Sequence, residues 1–354
     1  MAGFLIVNFG GPRDLGEIPE FLTSLLTDED VIWTGWPSFL QKWLFRKIAL
    51  ARSKTIVHDY TKIGGKSPIF EETETIAKEV GHLLGQRVLT FHRYLPQTHK
   101  NFIQEIEALE EEKIIVFPMF PQFSYATTGS IARWMEKHLS AKTRSKLHWV
   151  KSYYSHPGFI ESQRERISNF LGMHQLPAED TLLFFSMHGL PKCFVCLGDP
   201  YEHECRQSYE AVAAKFPGYK TILAFQSKFG PGQWLRPYTD EACREVQAKN
   251  VVFVPLSFTS DHIETLFEVE EQYLPIIRKR GFNAYRCPAL NHQKSWIEAI
   301  ARIVVEGELF QNKSLIRSTP KRRLCEDECR NSANCCEKQV KCGRYDPTCS
   351  LKKP

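Results

Sequence analysis

FLIVNFGGP at residues 4–12 returns in altered form as TLLFFSMHGLP at residues 181–191, a short apolar run that ends at glycine and proline. Each run is too short for a typical helix and lacks polar alternation, so it reads as a strand buried on both faces and closed by a tight turn. Two more pairs follow in the same order. VLTFHRY (88–94) parallels ILAFQSKF (222–229), and IIVFPMF (114–120) parallels VVFVPLSF (251–258). Amphipathic stretches such as HKNFIQEIEALEEE (99–112) and DEACREVQAKN (240–250) lie between them. Strands alternating with helices predict an α/β protein of two similar Rossmann-like halves, doubly wound on parallel sheets. The halves are expected to meet near GMHQLPAED (172–180). That divides the chain into an N-terminal half over 1–175, a C-terminal half over 176–318 and a basic Cys-rich tail over 319–354.

The 354 residues are 42% hydrophobic and 25% charged, which excludes a disordered or fibrous chain. Of the net charge of +5, the tail from residue 321 onward carries +4, with nine Lys/Arg against five Asp/Glu. A body near neutrality does not present the basic face that nucleic acid requires, so no nucleic-acid partner is expected. No apolar run approaches the roughly 18 residues of a membrane span. The opening MAGFLIVNFGG reads directly as strand and turn, so a cytoplasmic location is expected.

Chemistry is expected where strands end, since open α/β sheets bind ligands outside their carboxyl ends. SMHGLP (186–191) puts His188 on such an end, where a neutral imidazole can accept a proton. SFTSDHIETLFEVEEQYL (257–274) follows another. Ser260 or Asp261 would cap its helix, Glu264, Glu268 and Glu271 would line one face, and Ile263, Leu266 and Phe267 the opposite one. Carboxylates in a row suit a proton path or a divalent cation, although a solvated face would look the same. NFGGP (8–12) lacks the G-x-G-x-x-G spacing, and neither a P-loop nor a G-x-S-x-G elbow occurs. Residues 31–54, VIWTGWPSFLQKWLFRKIALARSK, hold Trp33, Trp36 and Trp43 beside Lys42, Arg46 and Lys47. Such a segment suits the lip of an apolar pocket or a membrane interface, or equally a core helix with a basic outer face.

In order along the chain, NFGGP, YTKIGGKSPI (60–69), FHRY (91–94), FPQFSYATTGS (120–130), SMHGLP, GDPY (198–201), SKFGP with Trp234, and FTSDHIETLFE (258–268) resemble the ferrochelatase family. These enzymes insert ferrous iron into protoporphyrin IX to form haem, and the resemblance covers about residues 3–310. It implies that His188 accepts pyrrole protons. It places His262, Glu264 and Glu268 on a locally widened acidic helix, with His188 and Glu264 meeting the substrate iron. Arg93 and Tyr94 are expected across the pocket, with Phe9, Ser130 and Trp234 near the macrocycle. The segment 31–54 matches the family's apolar lip, which implies peripheral association with the inner face of a membrane. A homodimer is a further expectation. Chelation of another porphyrin or metal, and a non-catalytic porphyrin sensor, are the alternatives.

Eleven cysteines remain to be read. Cys193, Cys196 and Cys205 follow His188, and C-x2-C places two thiolates on one turn, suited to zinc or an iron–sulfur cluster. Some family members carry a [2Fe–2S] cluster, which the resemblance places on these three with an unassigned fourth ligand. Six more, Cys325 to Cys349, lie in the tail outside the resemblance.

Overall fold

A computed structural model describes residues 2–317 apart from Gly35 and Pro231, so the tail and its six cysteines lie outside the described residues. Strands β1 (Gly3–Asn8), β2 (Val88–His92), β3 (Ile114–Pro118), β4 (Leu147–Val150), β5 (Thr181–His188), β6 (Lys220–Gln226), β7 (Asn250–Pro255), β8 (Asn283–Arg286) and β9 (Leu309–Gln311) form two sheets. The first has the order β2-β1-β3-β4-β9 and the second β6-β5-β7-β8. All pairings are parallel except the antiparallel edge β4–β9.

The three repeated sequence pairs occupy matching places, β1 with β5, β2 with β6 and β3 with β7. The short strands β4 and β8 carry LHWV and NAYR, whose mixed polarity hides them from a search for apolar runs. The last strand crosses back: β9 extends the first sheet, and Asn312 donates to Ala132 O and Glu136. Residues 309–317, expected in the second half, therefore pack on the first.

Burial without alternation reflects helices on both faces. In β1, Phe4 and Ile6 point to one core with helices Ile69–Leu84, Pro157–Met173 and Lys294–Glu306. Leu5 and Val7 point to another with helices Pro96–Glu107 and Thr128–His138. In β5, Leu183 and Phe185 join the same core as Phe4, whereas Leu182 and Phe184 face helices Thr239–Glu245 and Leu274–Arg278. One apolar core thus runs through both halves, with Trp296 packed on Phe117, Tyr153 and Phe159.

A polar seam also crosses the halves. Gln122 donates to Ser208 (2.9 Å), Phe123 N to Glu204 (2.6 Å), and Ser124 Oγ and Tyr125 N to Asp199 (2.8 and 2.9 Å). Four successive residues of the first half are thereby held by helix Tyr201–Ala213 and the turn before it. Burial pushes Asp199 up to about 6 and Glu204 up to about 7, partly offset by these donors. Raised carboxyl pKa values mean that the folded state binds more protons than the unfolded one between the two values, so stability falls as pH rises through that window. For Glu204 the window runs from its ordinary 4.5 to about 7. Glu204→Gln keeps an acceptor for Phe123 N and removes the titration. Denaturation midpoints of the variant should decline less between those pH values than those of the parent, and parallel pH curves would refute the assignment.

Candidate active site

In each sheet the chain leaves its first strand toward one neighbour and later returns on the other side, which opens a crevice at the carboxyl ends of β1/β3 and of β5/β7. Both crevices open into one cavity of about 1160 Å³. Phe9 and Phe120 line it from the first sheet, His188 and Phe258 from the second. Gly189 lets the strand end approach its neighbour, for a Cβ there would lie 2.7 Å from the Gln226 carbonyl oxygen.

His188 ends β5, its backbone N–H bonded to Ser257 Oγ at 2.9 Å. Its Nδ1 lies 2.5 Å from Gly189 O; a carbonyl can only accept, so Nδ1 bears hydrogen and Nε2 is the nitrogen turned to the cavity. That Nε2 is 3.5 Å from Glu264 Oε2. His262 repeats the device, with Nδ1 3.1 Å from Ser260 O and Nε2 3.8 Å from the same Glu264 oxygen. The Glu264 oxygen has no hydrogen-bond partner of its own.

The helix that carries Glu264 is a π-helix, Glu264–Tyr273. Its i→i+5 bonding turns less per residue than an α-helix, so the expected row of three carboxylates is broken. Glu264 and Glu268 face the cavity, whereas Glu271 turns outward to Lys62 at 2.7 Å. Ile263 and Phe267 line the cavity beside the carboxylates and do not form an opposing face; Val269 and Tyr273 enter the core instead. Nor does Asp261 cap the helix. It accepts the Thr265 hydroxyl (2.7 Å) and Arg286 (2.8 Å), and Ser260 Oγ has no partner.

Burial alone would raise the Glu264 pKa. Positive charge on His188, His262 and Arg52 outweighs it and holds the carboxyl well below its usual range. Burial works against a charged His262 as well, but Glu264 raises its pKa overall. Glu268 moves the opposite way. Burial first, and then the Glu264 charge, push it well up, although Ser227 Oγ donates to it at 2.5 Å. One carboxylate and one carboxylic acid therefore stand on adjacent turns.

Tyr94, Phe9 and Trp234 line the cavity, Phe9 lying between Tyr94 and Phe120 with ring centroids 5.2 and 4.8 Å away. Arg93 and Ser130, expected at the substrate, are not among the lining residues; both bind Asp28 behind the wall. The sequence reading missed Arg52, Asp59 and Tyr60. Their spacing along helix Ser38–Lys62 places them on one face, and all three line the cavity. Trp33 and Trp36 of the expected lip line it too.

The expected cluster ligands do not form a set. Cys193 and Cys196 sit on the short helix Lys192–Cys196, where Cys193 lines the cavity, but Cys205 is fully buried in the shared apolar core. Burial raises its thiol far above the ordinary value, which disfavours the thiolate a cluster needs. Among the described residues no group of three or more His, Cys, Asp or Glu is arranged to hold a metal.

A ferrochelatase family model matches residues 1–308. The chain is 44% identical over 317 residues to a protein named ferrochelatase from Chlamydia abortus, spanning 89% of this chain and 99% of that one. It is 42% identical over 320 residues to the Chlamydia caviae ferrochelatase, spanning 90% and 100%. Among solved structures, SirB from Bacillus subtilis with Fe3+ shares the fold with a TM-score of 0.50 at 12% identity, over 86% of this chain and 95% of that one.

The contrast between Glu264 and Glu268 is measurable by infrared titration. Of the protonated-carboxyl bands, the one that persists to the highest pH should be lost in Glu268→Gln, while that of Glu204 remains. In Glu264→Gln the same band should titrate at lower pH, because the charge that helps keep Glu268 neutral is gone. Titration unmoved by Glu264→Gln would leave burial as the whole cause.

Proposed function

The chain belongs to the ferrochelatase family, and on that premise we propose how its cavity inserts ferrous iron into protoporphyrin IX. Insertion changes no oxidation state. The porphyrin gives up two N–H protons for each Fe2+ it receives, so the site must take protons from the ring centre and carry them away. The observation that carries the reading is the convergence of His188 and His262 on the unpartnered oxygen of Glu264 inside an apolar cavity.

Phe9, Phe120, Leu190 and Trp234 supply apolar surface for a flat macrocycle. Arg52 and Lys192 line the cavity with cationic side chains suited to propionate groups. In its neutral form His188 takes a pyrrole proton at Nε2; the ionised Glu264 stabilises the imidazolium and accepts the proton in turn, since burial favours its acid form once that charge is lost. Neutralising Glu264 removes the repulsion that adds to burial in keeping Glu268 protonated, which eases release of the Glu268 proton outward. His262, whose imidazolium the same carboxylate favours, stays as a counter-charge, and the second pyrrole proton follows the first by the same route. A hard carboxylate oxygen here also attracts the entering iron once the protons have left. No step draws on a cluster.

Haem should form when the purified protein receives ferrous iron and protoporphyrin IX without oxygen. Glu264→Gln and His188→Ala should each lower that rate by about 10²–10⁴-fold, the usual range for a lost acid–base group. Turnover at the parental rate in either variant would remove it from this scheme.

The outer face of helix Ser38–Lys62 and the turn before it expose Trp36, Phe39, Leu40, Trp43 and Leu50. Lys47 lies 4.0 Å above the Trp43 ring. No described helix is long and apolar enough to cross a membrane. Apolar rings beside cations instead support docking on an anionic bilayer such as the inner face of a cytoplasmic membrane, and we assign this face to lipid before a second copy of the chain. The protein should co-sediment with anionic vesicles in low salt. The double change Trp36→Glu and Trp43→Glu should release it, and undiminished binding would argue against this face.

A further inference from the structure

Asp28, Glu29 and Asp30 join helix Ile18–Leu26 to the aromatic lip, and each acid has its own partners. Asp28 Oδ2 accepts Arg93 Nη2 at 2.7 Å, Tyr94 Oη at 3.0 Å and Ser130 Oγ at 2.5 Å. Asp30 accepts Arg133 Nε at 2.6 Å, and Glu29 accepts Ser38 Oγ at 2.5 Å, inside the lip itself. Asp28 also directs the chain onward, since its Oδ1 accepts Asp30 N and its carbonyl accepts Ile32 N, both at 2.9 Å. The wall begins at once: Val31, Ile32, Trp33, Thr34 and Trp36 all line the cavity.

The Asp28 side chain is 6% exposed and that of Arg93 is 13% exposed. A buried ion pair is costly to break, because the remaining charge is left without a partner. The three donors to Asp28 come from the turn after β2 and from helix Thr128–His138, both parts of the first half. A wall fixed at its root by such a clamp holds its aromatic rings in one place. We propose that Asp28 is the positioning residue for this wall, and that Arg93 and Ser130 act on porphyrin binding through Asp28 without touching substrate. The proposal rests on the cavity being the porphyrin site.

Asp28→Asn keeps the volume, removes the charge and strips Arg93 of its counter-ion. The porphyrin KM should rise about tenfold, as expected when a binding surface is displaced by a fraction of an ångström. The iron KM and the pH profile of kcat should stay at their parental values, since both follow the His188/Glu264 wall. Arg93→Gln should give the same signature, and the double variant should be no worse than either single one, as for residues that act as a unit. An iron KM moved by Arg93→Gln, or effects of Arg93→Gln and Asp28→Asn that add, would overturn the proposal by showing Arg93 at work on substrate. Should Asp28→Asn fail to fold, Ser130→Ala decides. It removes one donor, leaves the ion pair, and should raise only the porphyrin KM, by about two- to threefold for a weakened hydrogen bond; an unchanged porphyrin KM overturns the proposal. A parent protein that forms no haem would instead fail the reading of the cavity itself.

Discussion

An ionised carboxylate held inside a largely apolar cavity is the constraint around which this site is arranged. Glu264 could not stay charged there on burial alone, since a carboxyl taken from water protonates unless cations or donors favour its anion. The structure gives it two imidazoles from separate elements and a guanidinium from a third, the lip helix. At Glu268 burial, joined by that same charge, keeps the carboxyl neutral. Two chemically identical side chains take opposite protonation states because the nearby positive charge outweighs burial at Glu264 and does not at Glu268.

That arrangement asks for exact relative placement of the two halves, because the cations come from both. Arg52 reaches the site from the first half, and the histidines from the second. The seam at residues 122–125 and the apolar core shared across the sheets fix this relation. Within the second half, Gln226 binds Ser186 at 2.6 Å and the Glu264 carbonyl at 3.1 Å, which ties the start of the π-helix to the neighbouring strands. Sheet, seam and helix therefore act on the same carboxylate.

The two-sheet architecture was legible because strand ends carry repeated signals: an apolar run, then Gly and Pro, then a polar group. His188, His262 and Glu264 were legible for the same reason, each lying at or just after a strand end. What sequence spacing hid was helix geometry. Glu271 sits at α-helical spacing from Glu264, and only the wider i→i+5 turn sends it out to Lys62. Arg93 was hidden differently. A residue beside a pocket motif reads as facing the pocket, and only the position of Asp28, distant in sequence, shows where the guanidinium is engaged. Cys205 misled by adjacency in sequence to Cys193 and Cys196, although its helix turns it into the core.

The two halves share a pattern but not a role, and the difference lies at equivalent strand ends. Asn8 and His188 close β1 and β5, and their parallel neighbours in register are His92 and Gln226. In the first half Asn8 is bound to Thr73 and to Phe9 N, and His92 turns away to Glu74 at 2.9 Å. The next residue, Phe9, offers the cavity only a ring, so the β1 strand end gives it apolar surface without a proton acceptor. In the second half the histidine stands on the central strand, and its Nδ1 is occupied by the turn that follows, leaving Nε2 to the cavity. Duplicated topology thus yields one strand end with a proton acceptor facing one with only apolar surface. In the proposed scheme a flat macrocycle between them gives its protons to the second-half strand end, so the entering iron and the departing protons would share the His188–Glu264 face. On a shared face the order would be constrained as well, because a carboxylate that has just taken a proton no longer attracts a cation, and Glu264 in that scheme would have to pass its proton on before it could guide the metal.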